Sequence, residues 1–384
     1  MDYALINYGT VKENKAMKTA QKEAKKYYGK VRGEERKKLQ GKPPKAKLNK
    51  VVDLSDMSYI SLVEKNETVE RRALKQELPE VLSPEMLIEQ IRESGLTGLS
   101  GDGYLTADKL AAFAKSKSHK KYLVINGVEC DPGLIHDAWI IENRFENVKV
   151  GVEVLRKVFN FESITLATKS PLPTQDTVIQ KVQIPNRFPM GYEKYLIQTI
   201  LGVEVGENEF PAEQGILVLN VQTVLKIGEL ICSGEKFQDR YLTIADLTQG
   251  KAVTVRATIG AEVKDIIGKV FPKTSGNDLF VGFGAMTVHK AEDAEQIMPY
   301  TNFIGYGKAP DYEAASNCKG CGACSAKCPQ KIKVKKIVQA MECGQTEGLE
   351  RFHPEKCIGC STCTYMCHAG KDIAGIMKQV NGKA

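Results

Sequence analysis

Between residues 81 and 238 the chain alternates short apolar runs with stretches of helical periodicity. Residues 122–125, 164–167 and 216–219 are compact apolar runs of strand length, a pattern expected of strands covered on both faces. Between and after them, 150–158, 192–201 and 224–232 carry apolar residues at helical spacing. Upstream, Ser83 and Pro84 predict a helix start, as N-cap and first helical residue, with Leu87, Ile88 and Ile91 on one face and Gly95 as its stop. Strand–helix alternation of this kind predicts an α/β domain over 81–238 with a parallel-rich sheet.

The pattern changes at residue 239. Residues 241–244, 252–256 and 279–282 read as short strands around one helix, Val263–Val270, so a small α+β module is expected over 239–298. Residues 299–316 read as a linker that opens a final, cysteine-rich unit over 299–384. Residues 1–80 lack a sustained apolar face, and Gly41-Lys-Pro-Pro44 breaks any helix there.

Charge sharpens this division. The net charge is +7, yet residues 11–50 hold fifteen Lys/Arg against four Glu, so the rest of the chain is net negative. The basic character belongs to an arm, either a solvated, partly helical tail or a docking arm for an acidic redox partner. With Tyr27 and Tyr28 its only aromatics and no recognisable module, the arm gives no reason to expect nucleic acid. No run approaches the roughly 20 apolar residues of a membrane span, and residues 1–10 do not read as a signal peptide. A cytoplasmic chain is expected, with membrane association only through a partner.

Nine of the eleven cysteines fall between Cys318 and Cys367. Cys318, Cys321, Cys324 and Cys328 form one Cys-x2-Cys-x2-Cys-x3-Cys run; Cys357, Cys360, Cys363 and Cys367 form a second. Thiolates spaced in this way wrap three corners of an iron–sulfur cubane, while the fourth cysteine ligates the neighbouring cluster. The reading is two 4Fe–4S clusters: Cys318, Cys321, Cys324 and Cys367 on one, Cys357, Cys360, Cys363 and Cys328 on the other. Zinc sites instead pair two Cys-x2-Cys units across a spacer. Pro329 follows the first run and His368 the second, where a proline is usual; His368 reads as a surface residue. Cys343 has no place in the pattern, and Cys130 and Cys232 read as structural.

Several segments, in order, resemble a known family. Ser94-Gly-Leu-Thr-Gly-Leu-Ser-Gly-Asp-Gly-Tyr-Leu-Thr106 resembles a glycine-rich flavin loop, Gly-x-Gly-Gly-Ala-Gly-Phe-Pro-Thr. Asn126-Gly-Val-Glu-Cys-Asp-Pro132 resembles Asn-x-x-Glu-x-Glu-Pro. Arg187-Phe-Pro-Met-Gly-Tyr-Glu193 resembles Arg-Tyr-Pro-x-Gly-x-Glu, and Asn220-Val-Gln-Thr223 resembles Asn-Val-x-Thr. With the cysteine runs, these are similar to the RnfC component of the Rnf ferredoxin:NAD oxidoreductase and, more distantly, to the NADH-binding flavin subunit of respiratory complex I. The resemblance implies a parallel-rich flavin/NADH-type α/β domain, then a small β-grasp (SLBB-like) α+β module, then an α-helical dicluster ferredoxin-like domain.

It also implies FMN beside an NADH site, electrons passed to the clusters, and other redox subunits, a ferredoxin or a flavoprotein as partners. Carried across, the cofactor-binding positions are Gly98, Gly101, Gly103, Lys109, Asn126, Glu129, Asp131, Asn220 and Thr223. The loop departs from the family at Ser100, Asp102 and Leu105. A carboxylate at Asp102 facing a flavin phosphate would cost roughly 3–4 kcal/mol per unit charge at an effective dielectric near 20. Two alternatives therefore stay open: a flavin-less docking scaffold with a cluster relay, and a reductase component that binds a corrinoid or similar ligand.

Overall fold

The computed structural model describes residues 59–62, 78–101, 103–169, 176–185, 188–206, 209–234, 236–272, 277–308 and 315–382. The basic stretch 11–50 and Asp102 lie outside them. A short strand, β1 (Tyr59–Ser61), comes first, then α1 (Pro84–Ser94) and α2 (Thr106–Lys115). The Ser83 hydroxyl accepts the Met86 N–H at 3.2 Å, Pro84 opens α1, and Gly95 closes it at φ 73°. Gly95 is suited to that left-handed cap because it has no Cβ. Leu87 and Ile91 bury the apolar face.

A parallel sheet follows. Its strands are β2 (Tyr122–Gly127), β3 (Ser163–Thr168), β4 (Gln180–Gln183) and β5 (Ile216–Asn220), ordered β4-β3-β2-β5. Leu123, Val124 and Ile125 of β2 are all fully buried. Leu123 and Ile125 join one core and Val124 another, so both faces are covered, as a parallel sheet requires. One face packs α3 (His136–Asn143), α4 (Phe145–Val158) and α6 (Val221–Ser233); the other packs α5 (Glu193–Leu201) through Leu196 and Ile197. Helices α4 and α6 touch backbone to backbone: a Cβ on Gly151 would overlap the Val224 carbonyl, and one on Gly228 would come within 2.7 Å of the Gly151 nitrogen.

The second sheet runs β1-β7-β6-β10-β8-β9. Its hairpins are β6 (Asp239–Asp246) with β7 (Lys251–Thr258) and β8 (Asp278–Gly282) with β9 (Val288–Lys290). Between them lies β10 (Phe303–Gly307), parallel to β6 and antiparallel to β8. Hairpin, helix, hairpin and a last central strand make a β-grasp arrangement, with α7 (Val263–Val270) packing Val263, Ile266 and Ile267 on its core. Strand β10 occupies part of the segment read as a linker. Its two glycines disguise it; Phe303, Ile304 and Tyr306 are buried, and Gly305 makes room for the Phe303 ring. The sheet therefore extends beyond residue 298 and takes in β1 from the segment before residue 81.

A buried ion network ties the two sheet units together. Lys226 of α6 bonds Glu229 at 2.7 Å and Asp239 of β6 at 2.6 Å, while Arg256 of β7 bonds Asp239 at 2.6 Å and Glu229 at 3.3 Å. Burial works to raise the Asp239 carboxyl, but Lys226 and Arg256 outweigh it and hold it down at about 2.

The cysteine-rich unit is helical: α8 (Ala323–Lys327), α9 (Val334–Glu342), α10 (Thr362–Tyr365) and α11 (Ile373–Val380). A short helix inside each run precedes a longer amphipathic one. Ile332, Val334, Ile337, Val338, Ile373 and Met377 form its core, against which cysteines of both runs pack. Among the described residues no helix is long and apolar enough to cross a membrane.

Candidate functional site

Each cysteine run bends the same way around its second cysteine. Gly320 (φ 67°) and Gly359 (φ 68°) precede it, and Gly322 (φ 76°) and Ser361 (φ 54°) follow it, all left-handed. These turns fold the loop back so that amides point at sulfur. The Gly320 N–H donates to Cys318 Sγ at 3.4 Å and the Lys371 N–H to Cys367 Sγ at 3.4 Å.

All the cysteines are free thiols. Cys324 stands near Cys318 and Cys321 of its own run. Cys328 stands near Cys357 and Cys360, and Cys363 near Cys360, Cys357 and Cys328, so the first run's last cysteine joins the second run's first three. Burial, and then the neighbouring sulfurs, push these thiols up, Cys363 to about 12. Such a crowd resists ionisation until a cation joins it. Among the described residues only Glu129, His136 and Asp137 bring three ligand atoms within 4.8 Å of one another. A single tetrahedral zinc would hold its sulfurs about 3.8 Å apart. The wider spacing of these sulfurs suits cubane corners and not one ion.

The two cysteine groups are not equivalent in the fold. The Tyr195 hydroxyl on α5 donates to the Pro329 carbonyl, next to Cys328, at 3.1 Å. The Asp131 carboxylate adds its charge to the forces raising the Cys360 thiol. The group of Cys328, Cys357, Cys360 and Cys363 therefore faces the α/β domain. Of the eight cysteines in the runs only Cys321, in the other group, is exposed.

The glycine-rich loop is a pinched hairpin. Thr97 bridges Leu105, and the Gly98 N–H donates to the Tyr104 carbonyl at 2.7 Å. The Leu99 N–H donates to Thr223 Oγ1 at 3.1 Å, tying the loop to α6. Gly101 (φ 112°) sits against Asn302 and Phe283, and Gly103 (φ 65°) against Tyr300, so these glycines admit side chains of the β-grasp unit.

The polar positions around the loop are engaged within the protein. Lys109 pairs with Glu193 at 3.1 Å and donates to the Val218 carbonyl at 3.1 Å. Asn126 donates to the Gly191 carbonyl at 2.9 Å and accepts the Val128 N–H. Asn220 caps α6 by accepting the Gln222 N–H at 2.9 Å, and donates to Asp137 Oδ2 at 2.6 Å. The Thr97 and Thr106 hydroxyls, at the two ends of the loop, are buried without a hydrogen-bond partner.

Glu129 caps α3, accepting the Asp137 N–H at 2.6 Å and the Ala138 N–H at 3.2 Å. Burial pushes its carboxyl up to about 7, against the pull of those amides and of Lys169. Asp131 is raised to about 6, also by burial, with Lys169 opposing. Lys169 donates to the Glu129 carbonyl. Sequence reasoning missed Lys169, His136, Asp137 and Arg240. His136 Nδ1 lies 3.0 Å from Thr243 Oγ1 and 3.5 Å from Glu129 Oε1, and Arg240 donates to Asn302 and the Pro299 carbonyl. No periodicity marks them; a His-Asp pair five residues beyond the acidic motif was the one available signal.

Residues 91–229 match the family model of the Nuo51 FMN-binding domain. The RnfC-type component of the ion-translocating oxidoreductase complex of Pseudomonas aeruginosa is 29% identical over 260 residues, covering 64% of this chain and 33% of that protein. Its namesake from Haemophilus influenzae (strain PittEE) is 26% identical, covering 67% of this chain and 41% of its own length. The Rhodobacter capsulatus protein is 25% identical, with 70% and 54% covered. The chain thus spans between a third and about half of these relatives. Among solved structures, a chain of an NAD+-reducing NiFe hydrogenase in the air-oxidised state superposes with TM-score 0.57 at 14% identity, covering 82% of this chain and 65% of that one. That likeness shows a shared fold.

Proposed function

We propose, from the premise that the chain is an RnfC-like protein of the complex I 51 kDa superfamily, that it is the iron–sulfur electron-transfer subunit of a reductase complex. One observation carries the reading. Cys328 joins Cys357, Cys360 and Cys363 across the two runs, and this group faces the α/β domain at Asp131 and Tyr195. Two 4Fe–4S clusters held in crossed fashion would form a wire whose inner end meets that domain.

FMN would sit among the 97–105 loop, Asn126–Asp131 and Asn220–Thr223, with NADH beside it; the buried Thr97 and Thr106 hydroxyls are free to bond it. When bound, the flavin supplies conversion of a hydride pair into single electrons. The chain's own contribution is position and field. Glu129 fixes the start of α3, Asn220 fixes the start of α6, and Thr223 anchors the loop between them. Asp131 puts a carboxylate at the inner cluster group. A second reading, a flavin-less docking scaffold with a cluster relay, is favoured by the Lys109–Glu193 pair and by the packing of Gly101 on Phe283 and Asn302.

Acid extraction of anaerobically purified protein separates the two. FMN near one per chain, with NADH bleaching the cluster absorbance, is expected of the electron-entry subunit. Iron and sulfide without flavin, and no response to NADH, would establish the scaffold.

A further inference from the structure

The outer end of the wire carries its own signature. From residue 314 to residue 341 the chain has six lysines and no Asp or Glu. Lys319, Lys327, Lys331, Lys333 and Lys336 are exposed, and Lys335 is half-buried. Among the described residues none of the six makes an ion pair. Carboxylates are not scarce elsewhere in this unit: Glu342 pairs with Lys371, and Glu355 with His353. The charge asymmetry thus belongs to the first cysteine run and the helix after it.

These lysines surround the more exposed cysteine group. Cys321 lies in the same loop. A Cβ on Gly320 or Gly322 would meet nothing closer than the Lys335 and Gln339 side chains at 3.8 Å or beyond, so the loop backbone is open to approach. Electron transfer to another protein needs a cluster edge reachable from outside and a surface that orients the partner. A ring of like charge around that edge supplies the second, because it steers an oppositely charged protein and raises its association rate by about 10-fold to 1000-fold.

We propose that this lysine-ringed face, around Cys321 and α9, is the docking site for an acidic one-electron carrier protein. It rests on the electron-transfer reading above and names the end at which electrons are exchanged. The α/β domain covers the inner cysteine group, so the carrier and the nucleotide side are served by opposite ends.

A strongly acidic plant-type 2Fe–2S ferredoxin is the probe. Reduced ferredoxin is mixed with the oxidised full chain, and cluster reduction is followed by stopped flow at several ionic strengths. The wild-type second-order rate is expected to fall steeply with salt. The K331E/K333E/K336E variant is expected to lose at least tenfold at low salt, with unchanged midpoint potentials by redox-titrated paramagnetic resonance. K356E/K378E, in the second half of the same unit, is expected to keep the wild-type rate. A salt-independent wild-type rate, equal losses in both variants, or a triple-variant rate within twofold of wild type would overturn the proposal. So would lysine-dependent binding to anionic phospholipid vesicles with an unchanged ferredoxin rate, which would assign the face to a membrane. Salt dependence of the wild type keeps the test decisive even where the triple variant loses its clusters. A chain without any reducible centre would instead overturn the reading beneath it.

Discussion

Glu129 sits between a helix start that favours its charge and a burial that opposes it. Burial wins: its carboxyl rises from the ordinary 4.5 to about 7. A carboxyl raised on folding stabilises fully below its unfolded value and loses that contribution as pH climbs through the folded one. Glu129 therefore weakens the fold progressively between about pH 4.5 and 7, at up to about 1.4 kcal/mol per pH unit. Asp131, raised from 3.8 to about 6, acts with the same sign. The expected outcome is a wild-type unfolding midpoint that falls from pH 5 to pH 8. In Glu129→Gln the amide oxygen still accepts one helix N–H, so the variant is less stable at pH 5 and converges on wild type by pH 8. Parallel curves in denaturant titrations would contradict this. The acidic pair was legible in the sequence as a motif, but its engagement was not. Glu129 and Asn220 look like ligand contacts on paper, and in the fold both cap helices, because a cap needs only a side-chain oxygen at the right φ/ψ.

At the scale of elements, the pattern found those with strong periodicity and missed those without. Strands β2, β3 and β5 announced themselves as apolar runs, and α1 through its cap. Strand β4 did not, because Gln180–Gln183 is a half-exposed edge strand, and β10 was hidden by its glycines. Helix α3 carries buried His136 and Asp137 where a helix face normally carries apolar residues. The α4–α6 contact was invisible for another reason: a glycine within a helix pattern reads as a weak point, and here it is the point of closest approach. Gly151→Ala is expected to destabilise by about 1–3 kcal/mol or more, because the new methyl meets backbone that cannot swing away. Gly268→Ala on α7, where a Cβ would meet nothing within 4 Å, is expected to be neutral or to stabilise by up to about 1 kcal/mol. Equal effects in chemical denaturation would contradict the account of the contact.

Across the whole molecule, three units join in a directional order. The parallel sheet and the β-grasp sheet share the Lys226–Glu229–Asp239–Arg256 network and close the glycine-rich loop between them. The cysteine-rich unit meets the first of these through Tyr195 and Asp131, and turns its lysines and Cys321 outward. The mixed α/β architecture and the helical cysteine-rich end were readable from pattern and spacing. The closing of the loop by Phe283, Tyr300 and Asn302 was not, since those residues lie some 180–200 positions from the glycines they touch.

The crossed pair of clusters is the claim on which the rest depends. Its most direct test is iron and sulfide analysis, with low-temperature paramagnetic resonance under dithionite, of anaerobically prepared wild type and of Cys328→Ala. About eight iron atoms per chain and two reducible centres are expected, with Cys328→Ala altering the signal of the cluster held by Cys357, Cys360 and Cys363. Zinc in place of iron, or a Cys328→Ala change confined to the cluster of Cys318, Cys321 and Cys324, would contradict it.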